Sequence, residues 1–227
     1  FTMPDRWSTD FRKFVPRGAS VFVALEFDDK VPDRARKERL LLRRRGPQDS
    51  QLLEPTWFEL RIGPWRLDAG AAKHFGSMRM LGHARFLALP EGTNLKRVGC
   101  DLEAVSPFCA EPLSLQNELE ALMRISAGIQ RAIDLHPTDL ANDESLLPRL
   151  TGNPRNFVMI RVGEKKTLHW WEHYLNVAIE ILFAAWRVRS RGEANTSVVA
   201  LLESKLYPNY GHGTLEEQYV NKVLEYA

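Results

Sequence analysis

Cysteine is scarce: Cys100 and Cys109 are the two cysteines in a chain of 227 residues. That scarcity excludes a disulfide-built scaffold and a zinc site caged by cysteines. It fits a cytoplasmic or other reducing compartment, with a single Cys100–Cys109 bridge as the alternative. Long apolar runs are missing too. A membrane span needs roughly 20 clean apolar residues, and Asn176 and Glu180 interrupt the most apolar stretch. There is no secretory leader pattern, low-complexity tract or internal repeat. No G-x-G-x-x-G, phosphate-loop lysine pattern or G-x-S-x-G occurs, so no motif supports a dinucleotide fold or a nucleophile elbow.

What is present is the composition of a globular chain, 44% apolar and 26% charged, long enough to bury a real core. The net charge of +2 conceals an imbalance between the halves. Residues 1–100 hold 19 Lys and Arg against 12 Asp and Glu, a balance of +7. Residues 101–227 hold 12 against 17, a balance of −5. Such a split points to an anionic partner on the first half, or to attraction between the halves.

Hydrophobic periodicity gives a coarse map. Residues 20–28 alternate, with Val21, Val23, Leu25 and Phe27 on one face, as a half-buried strand does. The same period-two reading makes strands of 38–45, with Leu40 and Leu42 inward, and of 57–62, with Phe58 and Leu60 inward. It also makes a hairpin of 78–88 and 98–104. After residue 107 the pattern changes. Ser114 is placed to cap a helix whose stripe is Leu115, Leu119, Leu122, Ile125, Ile129 and Ile133. An acidic loop follows, then 156–162 as a buried strand. Residues 167–189 read as a long central helix with Leu175, Ile179, Leu182 and Trp186 in the core. Thr214 and Glu217 have the spacing of a capping box. The expected fold is therefore α+β. An N-terminal, mostly antiparallel sheet (1–106) has helices packed on one face, and a mainly helical half (107–227) is built around one long helix.

Three groups of residues carry candidate chemistry. If the alternations hold, Lys37, Arg39, Arg43, Arg45, Arg61, Arg79, Arg85 and Arg97 gather on the outer face of the sheet. Guanidiniums offer planar paired donors to phosphate or carboxylate. The outward positions hold few aromatics, which argues against base stacking and leaves contact with a nucleic-acid backbone or an acidic protein surface. The second group is His169, Glu172 and His173, an H-x-x-E-H pattern with Glu180 or Glu203 as third ligand. Imidazoles at i and i+4 share one side of a helix, where a zinc ion could sit and the glutamate could activate its water. Over these five residues the chain resembles the insulinase-type peptidases, which implies zinc-dependent hydrolysis. The third is Glu203 and Lys205 after an apolar run. It resembles the catalytic strand of PD-(D/E)xK nucleases, which implies Mg²⁺ on the acid and a lysine steadying the attacking water.

The expectation from these features is a non-enzymatic module, free of cofactor and part of a larger assembly. Its arginine face binds nucleic acid or an acidic protein. The alternative is a metal-dependent hydrolase or nuclease using zinc or magnesium, with Glu172, Glu203 and Lys205 as catalytic groups.

Overall fold

Alternation at period two does build the first strand. Val21, Val23 and Leu25 are buried while Phe22 between them is exposed. The computed structural model describes residues 20–45, 56–61, 76–94, 100–101, 108–109 and 112–190. The strand is β1 (Val21–Leu25), and it pairs antiparallel with β2 (Thr56–Leu60), setting Val23 opposite Phe58 and Phe22 opposite Glu59. Inward on β2 are Phe58 and Leu60. The second sheet is a short ladder of β3 (Cys100–Asp101) with β4 (Phe108–Cys109).

The rest of the described chain is mainly helical. The helices are α1 (Arg34–Arg45), α2 (Gly76–Leu87), α3 (Leu115–Asp134), α4 (Leu140–Leu146) and α5 (Gly152–Ser190), with a 3-10 turn (Leu147–Arg149) before α5. The fold is α+β, with a small antiparallel sheet and a long C-terminal helix.

Two expected strands are helices. Residues 38–45 lie in α1, where Lys37, Leu40 and Leu41 turn toward the core at helical spacing. Residues 78–88 lie in α2 and the turn after it. Met80, Leu81, Ala84, Leu87 and Ala88 are spaced as one helical face, but every residue from 80 to 89 is buried. With no exposed phase, period two and period 3.6 fit the same letters. The expected hairpin is absent as well: within 98–104, Cys100–Asp101 is a strand, but it pairs with β4 rather than with 78–88.

The third correction concerns 156–162, which is not a strand but part of α5. That helix runs 39 residues, about 58 Å, rather than starting near Thr167. Phe157 is exposed while Val158 and Val162, one turn apart, are buried. At the other end Leu175 and Leu182 are fully buried and Ile179 packs on the core. Trp186, expected inside, is 50% exposed.

The helix reading at 115–134 stands. Ser114 caps α3, its hydroxyl accepting from the Asn117 amide at 3.1 Å. Leu115, Leu122, Ile125 and Ile129 are buried, and Leu119 and Ile133 pack beside them. The helix crosses β1 closely at Gly128, where a Cβ would lie 2.8 Å from the Ala24 carbonyl oxygen. In turn α5 packs along α3 and α4. The Trp171 indole donates to the Arg61 carbonyl at 2.9 Å, tying α5 to the end of β2. One core joins residues from both sides of position 106, from Val21 through Met80 and Phe86 to Leu182.

Candidate functional site

Two of the expected outer-face basic residues, Lys37 and Arg85, are buried. Lys37 is buried in α1, and its amine donates to the Leu87 carbonyl at 2.8 Å and the Leu89 carbonyl at 2.7 Å. It closes the C-terminal end of α2, as a cationic side chain there commonly does. Burial, and then the nearby Arg124 charge, pull its pKa down to about 8. Arg39 is exposed on α1 and donates to its own helix at Ala35. Arg61 extends from the end of β2 and pairs with Glu59 at 3.0 Å. Arg79 is exposed on α2. Arg85, on the same helix, has no exposure at all. Arg43 and Arg45 lie on the last turn of α1, and Arg97 falls outside the described residues. Because α1 and α2 are helices, period two cannot line these side chains up, and among the described side chains Lys37 and Arg85 are buried rather than on an outer face.

The His169–Glu172–His173 stripe lies on α5. His169 Nδ1 and Glu172 Oε2 are 3.1 Å apart in an exposed pair, and His173 is exposed one turn on. Glu180 is exposed two turns further along. Among the described residues, no group of three His, Cys, Asp or Glu side chains could hold a metal ion. Glu203 and Lys205 lie outside the described residues.

Two buried ionic clusters stand where sequence reading saw none. In the first, Arg85 of α2 meets Glu118 of α3, Nε to Oε2 at 2.6 Å and Nη2 to Oε1 at 2.8 Å. The third guanidinium nitrogen donates to the Cys109 carbonyl at 3.1 Å, and the Asn117 amide donates to the Arg85 carbonyl at 3.1 Å. In the second, the buried Asp143 of α4 accepts from Lys165 at 2.6 Å, from Arg161 and from the Thr138 hydroxyl. Burial alone would push the Asp143 carboxyl up. The hydrogen bonds from Lys165, Arg161 and Thr138 overcome that and hold it below its ordinary value. Burial and the Lys165 charge lower the pKa of the neighbouring His136. Arg161 and Lys165 stand four apart, one turn of helix. That spacing was the one signal in the sequence for the second cluster. Both clusters hold helices together.

A protein-sized partner needs an accessible surface. The outer face of β1–β2 carries Phe22, 46% exposed, and Trp57, 58% exposed. The register sets Phe22 opposite Glu59 and Trp57 opposite Ala24, so the two aromatics are diagonal neighbours on one face. Glu59 and Arg61 border them. Among the described residues no helix is long and apolar enough to cross a membrane.

Comparison with known proteins adds a further finding. Residues 34–168, more than half of the chain, match a family described as Rubisco LSMT substrate-binding. No curated protein sequence matches the chain significantly. Two solved structures are similar, each at 16% identity over 82% of this chain and 42% of theirs. One is the crystal structure of the SET domain of LSMT bound to MeLysine and AdoHcy, with a TM-score of 0.46. The other is the structure of Rubisco LSMT bound to AdoMet, with a TM-score of 0.45. The chain spans less than half the length of either. The family match overturns the expectations of a non-enzymatic module with an arginine face and of a metal-dependent hydrolase or nuclease. Nucleic-acid binding and metal binding fall with them, since the matched family is a methyltransferase's substrate-binding one.

Proposed function

This chain belongs to the Rubisco LSMT substrate-binding family, and from that membership we propose that it is the substrate-holding part of a protein lysine methyltransferase. Its partner is then a protein. The observation that carries this reading is the extent of the match, which begins at the first residue of α1 and ends within α5 at Leu168. It takes in both buried ionic clusters and β2.

The work of such a part is to grip a protein so that one lysine is presented to a catalytic domain. Grip needs a rigid scaffold and a surface. Rigidity comes from the shared core and the two buried clusters, which tie α2 to α3 and α4 to α5. For the surface we place the substrate on the outer face of β1–β2, at Phe22 and Trp57. Exposed aromatic side chains offer large contact area at low entropic cost, and tryptophan is enriched among residues that dominate interfaces. What supports this placement is their exposure and their shared face.

The test is binding. An array of lysine-containing protein segments is probed with the purified chain, and the hits are titrated by fluorescence anisotropy. A defined subset should bind. Trp57→Ala should weaken those hits by at least about tenfold, as loss of a central interface residue does, while the thermal midpoint barely moves. An array with no hits would contradict the substrate-holding role. Hits indifferent to Trp57→Ala and Phe22→Ala would move the docking face elsewhere.

A further inference from the structure

The second buried cluster carries more positive charge than its own carboxylate answers. Asp143 is fully buried and accepts from Lys165 at 2.6 Å, from the Thr138 hydroxyl at 2.9 Å, and from Nε and Nη2 of Arg161. Lys165 is fully engaged. An ammonium has three donors, and its acceptors are Asp143, the Thr138 hydroxyl and the carbonyls of Thr138 and Asp139. Arg161 is not. Its side chain is 34% exposed, and Nη1 has no hydrogen-bond partner among the described residues. A guanidinium presents paired N–H groups along more than one edge. The Nε–Nη2 edge is turned inward on Asp143, which leaves the Nη1–Nη2 edge facing outward. Because the inner edge anchors the side chain, the outer edge is oriented before any ligand arrives, and little further rotamer entropy is lost on binding.

Two cations thus share one carboxylate. The other carboxylates around the cluster are engaged: Asp139 caps α4 through the Asn142 amide at 2.6 Å, Glu144 pairs with Lys166 at 2.7 Å, and Glu172 pairs with His169 at 3.1 Å. His136, half-buried beside the cluster, registers the surplus. Burial first, and then the Lys165 charge, lower its pKa; Asp143 opposes them, and Arg161 and His169 add to the lowering. We propose that the outer edge of Arg161 is an anion-binding position that takes one carboxylate side chain, Asp or Glu, of the protein substrate. This rests on the substrate-holding reading and gives it a second anchor. The charge count selects the ligand: one carboxylate cancels the surplus, whereas a phosphate, with its nearly double charge, would overshoot it. A planar carboxylate also accepts both N–H groups of the edge side by side. Arg161 lies ten residues before Trp171, the residue that bonds the end of β2. That is about 15 Å along α5, within the reach of one protein bound at both positions.

The experiment takes the lysine-containing segments that bind the native chain and remakes each with its Asp and Glu residues changed one at a time to Asn or Gln. Affinities for the native chain and for Arg161→Lys are compared by fluorescence anisotropy. Lysine keeps the charge but has no planar edge. Loss of one carboxylate should weaken binding to the native chain at least about tenfold, and the same loss should matter little to Arg161→Lys. Segments that bind with no dependence on any carboxylate would overturn the anion position and leave the substrate-holding role standing. An equal loss in both chains would overturn it too. A set with no binding segment would overturn both. A phosphoserine that binds more tightly than Glu at the same place would overturn the carboxylate as the ligand. The second readout needs no variant: His136 is titrated by NMR in the native chain, free and saturated with a bound segment. Its pKa should rise on saturation, because a nearby negative charge favours the protonated ring. A pKa that stays in place would overturn the proposal even if Arg161→Lys failed to fold.

Discussion

Arg85 and Glu118 meet through two parallel hydrogen bonds, at 2.6 and 2.8 Å, in a place with no solvent exposure on either side chain. A bidentate geometry with the third nitrogen satisfied is the arrangement in which a buried pair can offset the cost of leaving water. Breaking one side leaves the other charge stranded. Glu118→Leu alone should therefore cost about 3–5 kcal/mol, and Arg85→Met a similar amount. The double variant should recover most of that loss, because removing both charges removes the stranded group. Urea denaturation of the four proteins measures it. If the double variant is as unstable as the sum of the singles, the pair contributes through something other than charge.

Gly128 marks the closest approach of α3 to β1, with the Ala24 carbonyl oxygen 2.8 Å from where a Cβ would stand. Alanine is the better helix former by about 1 kcal/mol. Gly128→Ala should still lower stability, by about 1–3 kcal/mol, because the obstructing atom is backbone and cannot rotate aside. A raised melting midpoint in that variant would mean the helix and strand can separate at no cost.

Two residues on α5 separate core from surface. Leu182 is fully buried and Trp186 is half exposed, although both fit one hydrophobic stripe. Leu182→Ala should cost about 2–5 kcal/mol, the usual range for a truncated core leucine. Trp186→Ala should cost less. Equal losses from the two would contradict the position of the helix against the core.

Much of this was legible in the sequence and some was not, for identifiable reasons. β1 and β2 were readable because their alternation has an exposed phase at Phe22 and Trp57, with Glu59 half-buried beside them. α3 was readable because Ser114 caps it and its stripe is interrupted by exposed Gln116, Met123 and Gln130. α2 was not, because burial on every side erases the period. In α1 three consecutive leucines, Leu40 to Leu42, fit either repeat. The opposite charges of the two halves suggested a basic face or mutual attraction. Three ion pairs among the described residues cross that boundary: Arg85–Glu118, Arg124–Asp28 and Arg131–Glu26. Only the first puts the base on the basic half, so these three pairs do not follow the imbalance. The pairing of residues 33 apart, as in Arg85 with Glu118, leaves no trace in local periodicity. No motif in the sequence suggested the proposed substrate-holding role either.

Lys37 should make stability rise with pH at the alkaline end. Its folded pKa is about 8, against an ordinary 10.5. Between those values the unfolded chain holds a proton that the folded chain has shed, so raising pH across that window favours folding. A neutral amine keeps two N–H donors, which match the two carbonyls it touches. Other groups titrate in the same range, so the readout is the stability of the native chain minus that of Lys37→Met, measured from pH 7.5 to 10.5. The difference should grow with pH. A difference that shrinks would show the amine remaining charged in place.

The substrate-holding role makes one kinetic claim that no structural role would share. A part that binds the substrate equally in its ground and transition states lowers KM and leaves kcat unchanged. The measurement compares a SET domain alone with the same domain joined to this chain, using one of the bound protein segments as substrate and following lysine methylation by mass spectrometry. KM should fall at least about tenfold on joining, with kcat little changed, and Trp57→Ala should return KM toward that of the lone domain. Equal KM values with and without the chain, on a segment the chain demonstrably binds, would contradict the account.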